Sequence, residues 1–202
     1  MSKKTKTIRI IAGKYKSRKI FFNTKYNPDL RPTGNRLRET IFNWLENYIT
    51  NAICLDAFSG SGALGLEALS RGAKFCRFYE KNKKTARIIN NNFKLLLLDT
   101  GIITIGSVIN HLKKNQHYDI IFLDPPFNGN LLEESIKVIA DNIYITYKTI
   151  IYIEFINGKK PVVLSSHFNV IKQTQQGSVC AMLIRKMNMV GPVGLEPTTN
   201  GL

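Results

Sequence analysis

Residues 52–65, AICLDAFSGSGALG, restrict what the rest of this chain can fold into. Ile53, Cys54 and Leu55 form a short apolar run suited to a strand covered on both faces, and Asp56 closes it. Gly60 and Gly62 let the backbone turn sharply and approach a ligand, and residues 63–70 continue with helix formers spaced for one buried face. A strand, a glycine turn and a helix in that order belong to an open α/β sheet, whose ligand crevice lies at the carboxyl ends of its strands.

Two cofactors compete for this motif. Gly60, Gly62 and Gly65 satisfy G-x-G-x-x-G, and Glu80 follows at the distance of a ribose-binding acid, as in a dinucleotide fold. A pyrophosphate wants bare amides and a positive helix end, which a carboxylate four residues before the first glycine opposes. Asp56 can instead hold an ammonium group or anchor the glycine loop through water. That favours S-adenosylmethionine over NAD.

The charge points to a polyanionic partner: 29 basic against 14 acidic residues give a net +15. Residues 1–38 hold most of the excess, with Lys14, Lys16, Arg18 and Lys19 crowded between two apolar runs, Ile8–Ile11 and Ile20–Phe22, expected to form a β-hairpin. These side chains either bind phosphates or keep a solvated edge from aggregating. The segment LRPTGNRLRET turns at Pro32 and Gly34 and enters a helix expected over 35–48, with Leu37, Ile41, Trp44, Leu45 and Tyr48 on its apolar side. Arg31, Arg36 and Arg38 either hold RNA phosphates or solvate that helix. No apolar run approaches the roughly 20 residues of a membrane span, and MSKKTKT is followed by no apolar signal core. Cys54, Cys76 and Cys180 read as reduced thiols, and His111, His117 and His167 lack metal-ligand spacing.

A second strand is expected over 74–79, ending in Glu80, followed by a helix over 83–98 capped by Asn82. A third strand covers 102–105, a short helix 107–114, and a fourth, nearly all apolar strand 118–123 runs straight into Asp124-Pro125-Pro126-Phe127. A helix over 131–140, a strand over 149–154 and an antiparallel pair over 168–173 and 179–185 complete the sheet. Residues 189–202, MVGPVGLEPTTNGL, lack apolar periodicity and are expected to be a disordered tail without function.

The tetrapeptide carries the chemistry. Two prolines remove two amide donors and stiffen the loop, so its carbonyls point in fixed directions. Asp124 and the Pro125 carbonyl can accept the two hydrogens of an exocyclic amine on a base, freeing the nitrogen lone pair to attack. Phe127 can stack on the extruded base, an interaction worth roughly 1–3 kcal/mol. Catalysis is then alignment plus acceptors placed where positive charge develops, with no metal.

With RIIAGKYKSRKI, RPTGNRLRETIFNWL, LDAFSGSGALGLEALSRGA, YEKN, DPPF and IYIE, the chain resembles the RsmD family, bacterial enzymes that methylate guanine N2 in 16S ribosomal RNA. The resemblance implies a class I S-adenosylmethionine-dependent methyltransferase fold. Its Rossmann-like sheet would be mostly parallel, with a C-terminal antiparallel hairpin and a small N-terminal basic β-hairpin. It divides the chain into an arm (1–30), a methyltransferase domain (31–188) and the tail. It assigns Asp56, Phe58, Gly60 and Gly62 to the methionine end of S-adenosylmethionine, Glu80 to the ribose, and Asp124, Pro125, Pro126 and Phe127 to the target base. Relatives often place an aspartate after the third strand; here Ser107 stands available to the adenine edge. The partner implied is 16S rRNA in a 30S particle, met by a cytoplasmic monomer. An adenine-N6 DNA methyltransferase and a non-catalytic RNA-binding assembly factor are the alternatives.

Overall fold

The structure is a computed structural model that describes residues 5–25, 32–127 and 129–188. Arg31 and the 189–202 tail, both singled out from the sequence, lie outside the described residues.

Strands β1 (Thr5–Arg9) and β2 (Lys19–Asn23) form a separate antiparallel hairpin. Helices α1 (Asn35–Trp44) and α2 (Glu46–Ile49) follow. The main sheet is built from β3 (Ile53–Asp56), β4 (Phe75–Glu80), β5 (Gly101–Ile105), β6 (Ile120–Leu123), β7 (Ile150–Ile156), β8 (Phe168–Gln176) and β9 (Val179–Lys186). The connecting helices are α3 (Ala63–Ser70), α4 (Lys83–Leu96), α5 (Ile109–Leu112), α6 (Leu131–Asp141) and α7 (Leu164–His167). The strand order is β5-β4-β3-β6-β7-β9-β8; β3 to β7 are parallel and β9 runs antiparallel to both its neighbours. This is the mostly parallel sheet with an antiparallel C-terminal pair that the sequence led us to expect. The chain winds outward from β3 to β5 and then returns to place β6 on the other side of β3, so the order reverses between β3 and β6. A ligand crevice belongs at that switch point.

Strand alternation sorts the core into two layers. Cys54, Phe78, Phe122 and Tyr152 face α1, α3, α4 and the hairpin, whereas Leu55, Tyr79, Ile121 and Ile153 face α5 to α7. Among the described residues, no helix is long and apolar enough to cross a membrane.

Three local expectations need correction. The helix expected over 35–48 is two helices, because Leu45 leaves helical geometry at φ −89°, ψ 0°. Its buried stripe runs through Leu37, Arg38, Ile41, Phe42, Leu45 and Ile49, leaving Trp44 half-buried and Tyr48 exposed. Helix α3 is buried on every side rather than on one, since the sheet covers one face and the hairpin turn and α1 cover the other.

Glu67 explains the second covering. It is fully buried and accepts from the amides of Ile11 (2.8 Å) and Ala12 (3.0 Å), from Arg71 Nε (2.9 Å) and from Arg38 Nη1 (3.4 Å). Ser70 Oγ accepts from the Tyr15 amide, and a Cβ on Gly13, whose φ is +82°, would stand 1.8 Å from the Ser70 carbonyl oxygen. Only glycine allows the hairpin turn to dock this closely. Gly65 serves the other side of α3, where a Cβ would meet the Phe78 ring at 2.3 Å.

Candidate active site

Four neighbouring strands carry carboxylates towards their carboxyl ends, in spatial order Glu80 at the end of β4, Asp56 at the end of β3, Asp124 just past β6 and Glu154 two residues before the end of β7. Asp56 pairs in register with Phe78 and Phe122, and Phe122 with Tyr152, so Glu80, Asp124 and Glu154 each follow two residues beyond that row.

The cofactor side is built on β3 and β4. The backbone after Asp56 turns through Gly60 (φ +51°) and Gly62 (φ +76°) into α3. Asp56 Oδ2 accepts directly from the Gly65 amide at 3.0 Å, so it braces the loop without an intervening water. Glu80 accepts from the Gly60 amide at 3.0 Å and the Asn82 amide at 2.7 Å, and Asn82 caps α4 through the amides of Lys84 and Thr85. Burial pushes the Asp56 carboxyl up to about 7, against the lowering pull of the Gly65 amide, and burial also raises Glu80. Phe58 is half-buried beside this turn, and exposed Ser107 follows Gly106, whose amide bonds the Glu80 carbonyl at 3.1 Å.

This arrangement discriminates between the two cofactors. The amides of Gly60 and Gly65, which a pyrophosphate would need, already serve carboxylates. Neither Asp56 nor Glu80 forms an ion pair among the described residues. Two buried acids without a cation oppose a diphosphate. They fit a ligand that brings an ammonium, a sulfonium and ribose hydroxyls, as S-adenosylmethionine does.

On the neighbouring strands, Asp124 is half-buried, Pro125 buried, and Pro126 and Phe127 exposed. Thr33 Oγ1 lies 3.2 Å from Asp124 Oδ2 and 2.9 Å from Glu154 Oε1, and the Tyr152 hydroxyl donates to Glu154 Oε1 at 2.6 Å. Burial raises both carboxyls; Glu154 raises Asp124 further, while the Thr33 hydroxyl opposes the rise in both. A cleft of about 410 Å³ opens alongside, lined by Pro125, Phe127, Glu154, Lys159, Lys160 and Val162 among others. That volume lies within the range of about 300–1,000 Å³ usual for small-ligand sites.

The basic residues divide. Lys14, Lys16 and Arg18 are exposed in the hairpin turn and Lys19 at the start of β2; the Lys14 amide bonds the Ser70 carbonyl (2.7 Å) and Arg18 Nη2 the Leu95 carbonyl (3.2 Å). These are the far ends of α3 and α4, about 12 Å down α3 from its glycine turn. Arg36 is exposed in the first turn of α1, close after Thr33 in the chain. Arg38 does not belong with them. It is fully buried, bonded to Glu67, to the Arg9 carbonyl (3.0 Å) and to Asn35 Oδ1 (2.7 Å), and cannot reach a phosphate. The buried Glu67 carboxylate demands a cation there.

Sequence reasoning missed Thr33, Tyr152, Glu154, Glu67, Lys159 and Lys160. An acid inside the apolar run IIYIEF was the available sign for Glu154. Nothing local marked Thr33, which meets its partners across 91 and 121 residues of chain.

Comparisons with known proteins place the chain in a family. Residues 8–185 match the family model described as Conserved hypothetical protein 95. The ribosomal RNA small subunit methyltransferase D of Buchnera aphidicola is 40% identical over 173 residues, covering 85% of this chain and 89% of that protein. The protein of the same name from Escherichia coli is 40% identical over 148 residues, covering 73% of this chain and 74% of its own. Among solved structures, yhhF of Escherichia coli superposes with a TM-score of 0.79 at 34% identity, covering 90% of this chain and 98% of its own. The structure of HI0767 from Haemophilus influenzae gives 0.75 at 35% identity, covering 90% and 99%. On its sequence as on its fold, this chain belongs to the ribosomal RNA small subunit methyltransferase D family.

Proposed function

We propose that the protein transfers a methyl group from S-adenosylmethionine to the exocyclic N2 of a guanine in 16S ribosomal RNA. It acts in the cytoplasm as a monomer on an assembling or assembled 30S particle. The observation that carries this reading is the placement of Asp124-Pro125-Pro126-Phe127 at the end of β6, beside the Asp56 tip of β3 where the strand order reverses. When bound, the cofactor would supply a methyl activated by its sulfonium, with the sulfur keeping the bonding pair as the methyl leaves. This chain's residues then have to hold the amine in line. Asp124 and the Pro125 carbonyl accept its two hydrogens, and the Phe127 ring, 37% exposed, offers a face for the extruded base. Lys159 and Lys160 at the cleft supply positive charge for the flanking phosphates, as does Arg36 from α1. The basic hairpin turn, at the far ends of α3 and α4, grips RNA away from the target base.

The test is methyl transfer from labelled cofactor to 30S particles and to naked 16S RNA, with the modified nucleotide mapped. Label on a guanine N2 that vanishes with Asp124→Ala supports the reading. Label on adenine, or a mutant as active as the parent, overturns it.

A further inference from the structure

Methyl transfer leaves a proton to be removed, and the residues behind Asp124 offer a route for it. This inference rests on the function proposed above. Once the N2 lone pair has become the new N–C bond, nitrogen carries a positive charge. An N–H bond must then break, with its pair returning to nitrogen. The acceptor is Asp124, which has to be ionised when the amine docks.

Its surroundings make that state conditional. No cation forms an ion pair with Asp124 or Glu154 among the described residues. Asp56 faces Asp124 from β3, Tyr152 and Glu154 face it from β7, and Thr33 arrives from the segment before α1. Glu133, Lys159 and Lys160 line the cleft that Glu154 borders. A hydroxyl has one proton and lone pairs to accept another, so Thr33 donates to one carboxyl while accepting from the other. In the geometry observed, Glu154 Oε1 receives both the Tyr152 hydroxyl and the closer approach of Thr33, which suits an ionised Glu154 and a protonated Asp124.

We propose that Thr33 passes a single proton between Asp124 and Glu154, so that Glu154 holds it while Asp124 receives the amine. As the amine docks, the proton on Asp124 Oδ2 moves to Thr33 Oγ1, and the proton that Thr33 carried moves to Glu154 Oε1. Asp124 is left ionised and accepts the amine hydrogens. After methyl transfer the N2 proton passes to Asp124. Glu154 then releases its proton to water in the cleft, and the pair returns to its starting charge. Thr33 and Glu154 are positioning residues in this scheme; of the three, Asp124 alone touches the base.

Three variants test it: Thr33→Val removes the hydroxyl at constant shape, Thr33→Ser keeps it, and Glu154→Gln removes the like charge. In cofactor-free protein at neutral pH, infrared difference spectra against Asp124→Asn should reveal a neutral carboxyl whose titration moves to lower pH in Glu154→Gln, because the like charge is gone while burial remains. In turnover, Thr33→Val should lower kcat about 10- to 100-fold while leaving KM for cofactor and RNA within about threefold. Its acid limb should move to higher pH, that of Glu154→Gln to lower pH, and Thr33→Ser should behave as the parent. Equal kcat and equal acid limbs for Thr33→Val and Thr33→Ser would overturn the relay, as would a neutral carboxyl whose titration Glu154→Gln leaves unmoved. Binding of S-adenosylhomocysteine by each variant establishes that it is folded. A parent that shows the shared proton yet methylates no RNA would count against the function proposed above and leave the proton pair standing.

Discussion

Glu67 and the Asp124–Glu154 pair are acids inside the same protein, yet their surroundings differ in sign. Glu67 meets two arginines and two backbone amides, which together satisfy its charge and fasten the hairpin turn to α3 and α1. Asp124 and Glu154 meet two hydroxyls and each other. A buried carboxylate with cations around it holds the structure together. Two that face one another without a cation raise each other's proton affinity and stand ready for a ligand that donates hydrogens. Burial alone therefore does not mark an acid as open to a ligand; the missing counter-charge does.

The largest effect expected from this contrast is on turnover. Asp124→Ala should lower kcat by about 10²- to 10³-fold, the loss usual for one preorganised electrostatic partner. Binding of S-adenosylhomocysteine by calorimetry should stay within about threefold, because the cofactor side is built on Asp56 and Glu80. Thermal stability should hold or rise, since a carboxyl buried beside Glu154 without a cation is gone. A mutant that unfolds instead would mean the pair is a fastener after all.

Arg38→Met tests the other half. Glu67 would keep Arg71 but lose the cation buried with it, and breaking a buried pair costs about 3–5 kcal/mol of stability. Urea unfolding should show that loss, and kcat of the folded fraction should change little. The two mutants thus exchange signatures, one losing activity and the other stability.

These centres were unequally legible in the sequence. The apolar runs at 53–55 and 120–123 located the central strands, and the turn residues after them located Asp56 and Asp124, because strand and turn are local properties. Glu80 followed from the same rule one strand on. Arg38 did not, since helical periodicity assigns a charged residue to solvent, and only the all-round burial of α3 reveals that Glu67 needs a partner. The buried stripe of α1 runs through Arg38 and Phe42 rather than through Trp44, and Tyr48 falls in a separate helix beyond Leu45, which compounded the misreading. Thr33 joins Asp124 and Glu154 only because the segment before α1 comes back to the carboxyl ends of β6 and β7, a fact of topology rather than of spacing.

Asp56 sharpens the comparison from a third side, as a buried acid held by one amide. Its carboxyl sits near 7, above its unfolded value, so the stability it contributes is present at low pH and is lost as pH rises through about 7. Binding of a ligand ammonium requires the ionised form and has the opposite trend. S-adenosylhomocysteine should bind about five- to tenfold more tightly at pH 7.5 than at pH 6, as the ionised fraction grows. Asp56→Asn should flatten that dependence and raise the melting temperature at pH 8. A flat profile in the parent protein would remove Asp56 from the ammonium site.

The smallest effect asks whether Lys159 and Lys160 are the counter-charge that the acid pair lacks. They line the same cleft as Glu154 but form no ion pair with it among the described residues, whereas Arg38 lies 3.4 Å from Glu67 with both side chains fully buried. If they neutralised the pair, replacing both with alanine would raise the two carboxyls and carry the acid limb of kcat to higher pH. We expect the limb to stay where it is. What should change is the grip on RNA: KM for the 30S particle rises a few-fold, and the slope of log affinity against log salt falls by about two, one for each phosphate no longer neutralised. The double change Lys14→Ala with Lys16→Ala, on the hairpin turn, should reduce the salt slope similarly without touching the cleft. A shift of the acid limb in the cleft mutant and none in the hairpin mutant would make the Asp124–Glu154 pair a second Glu67, neutralised at longer range.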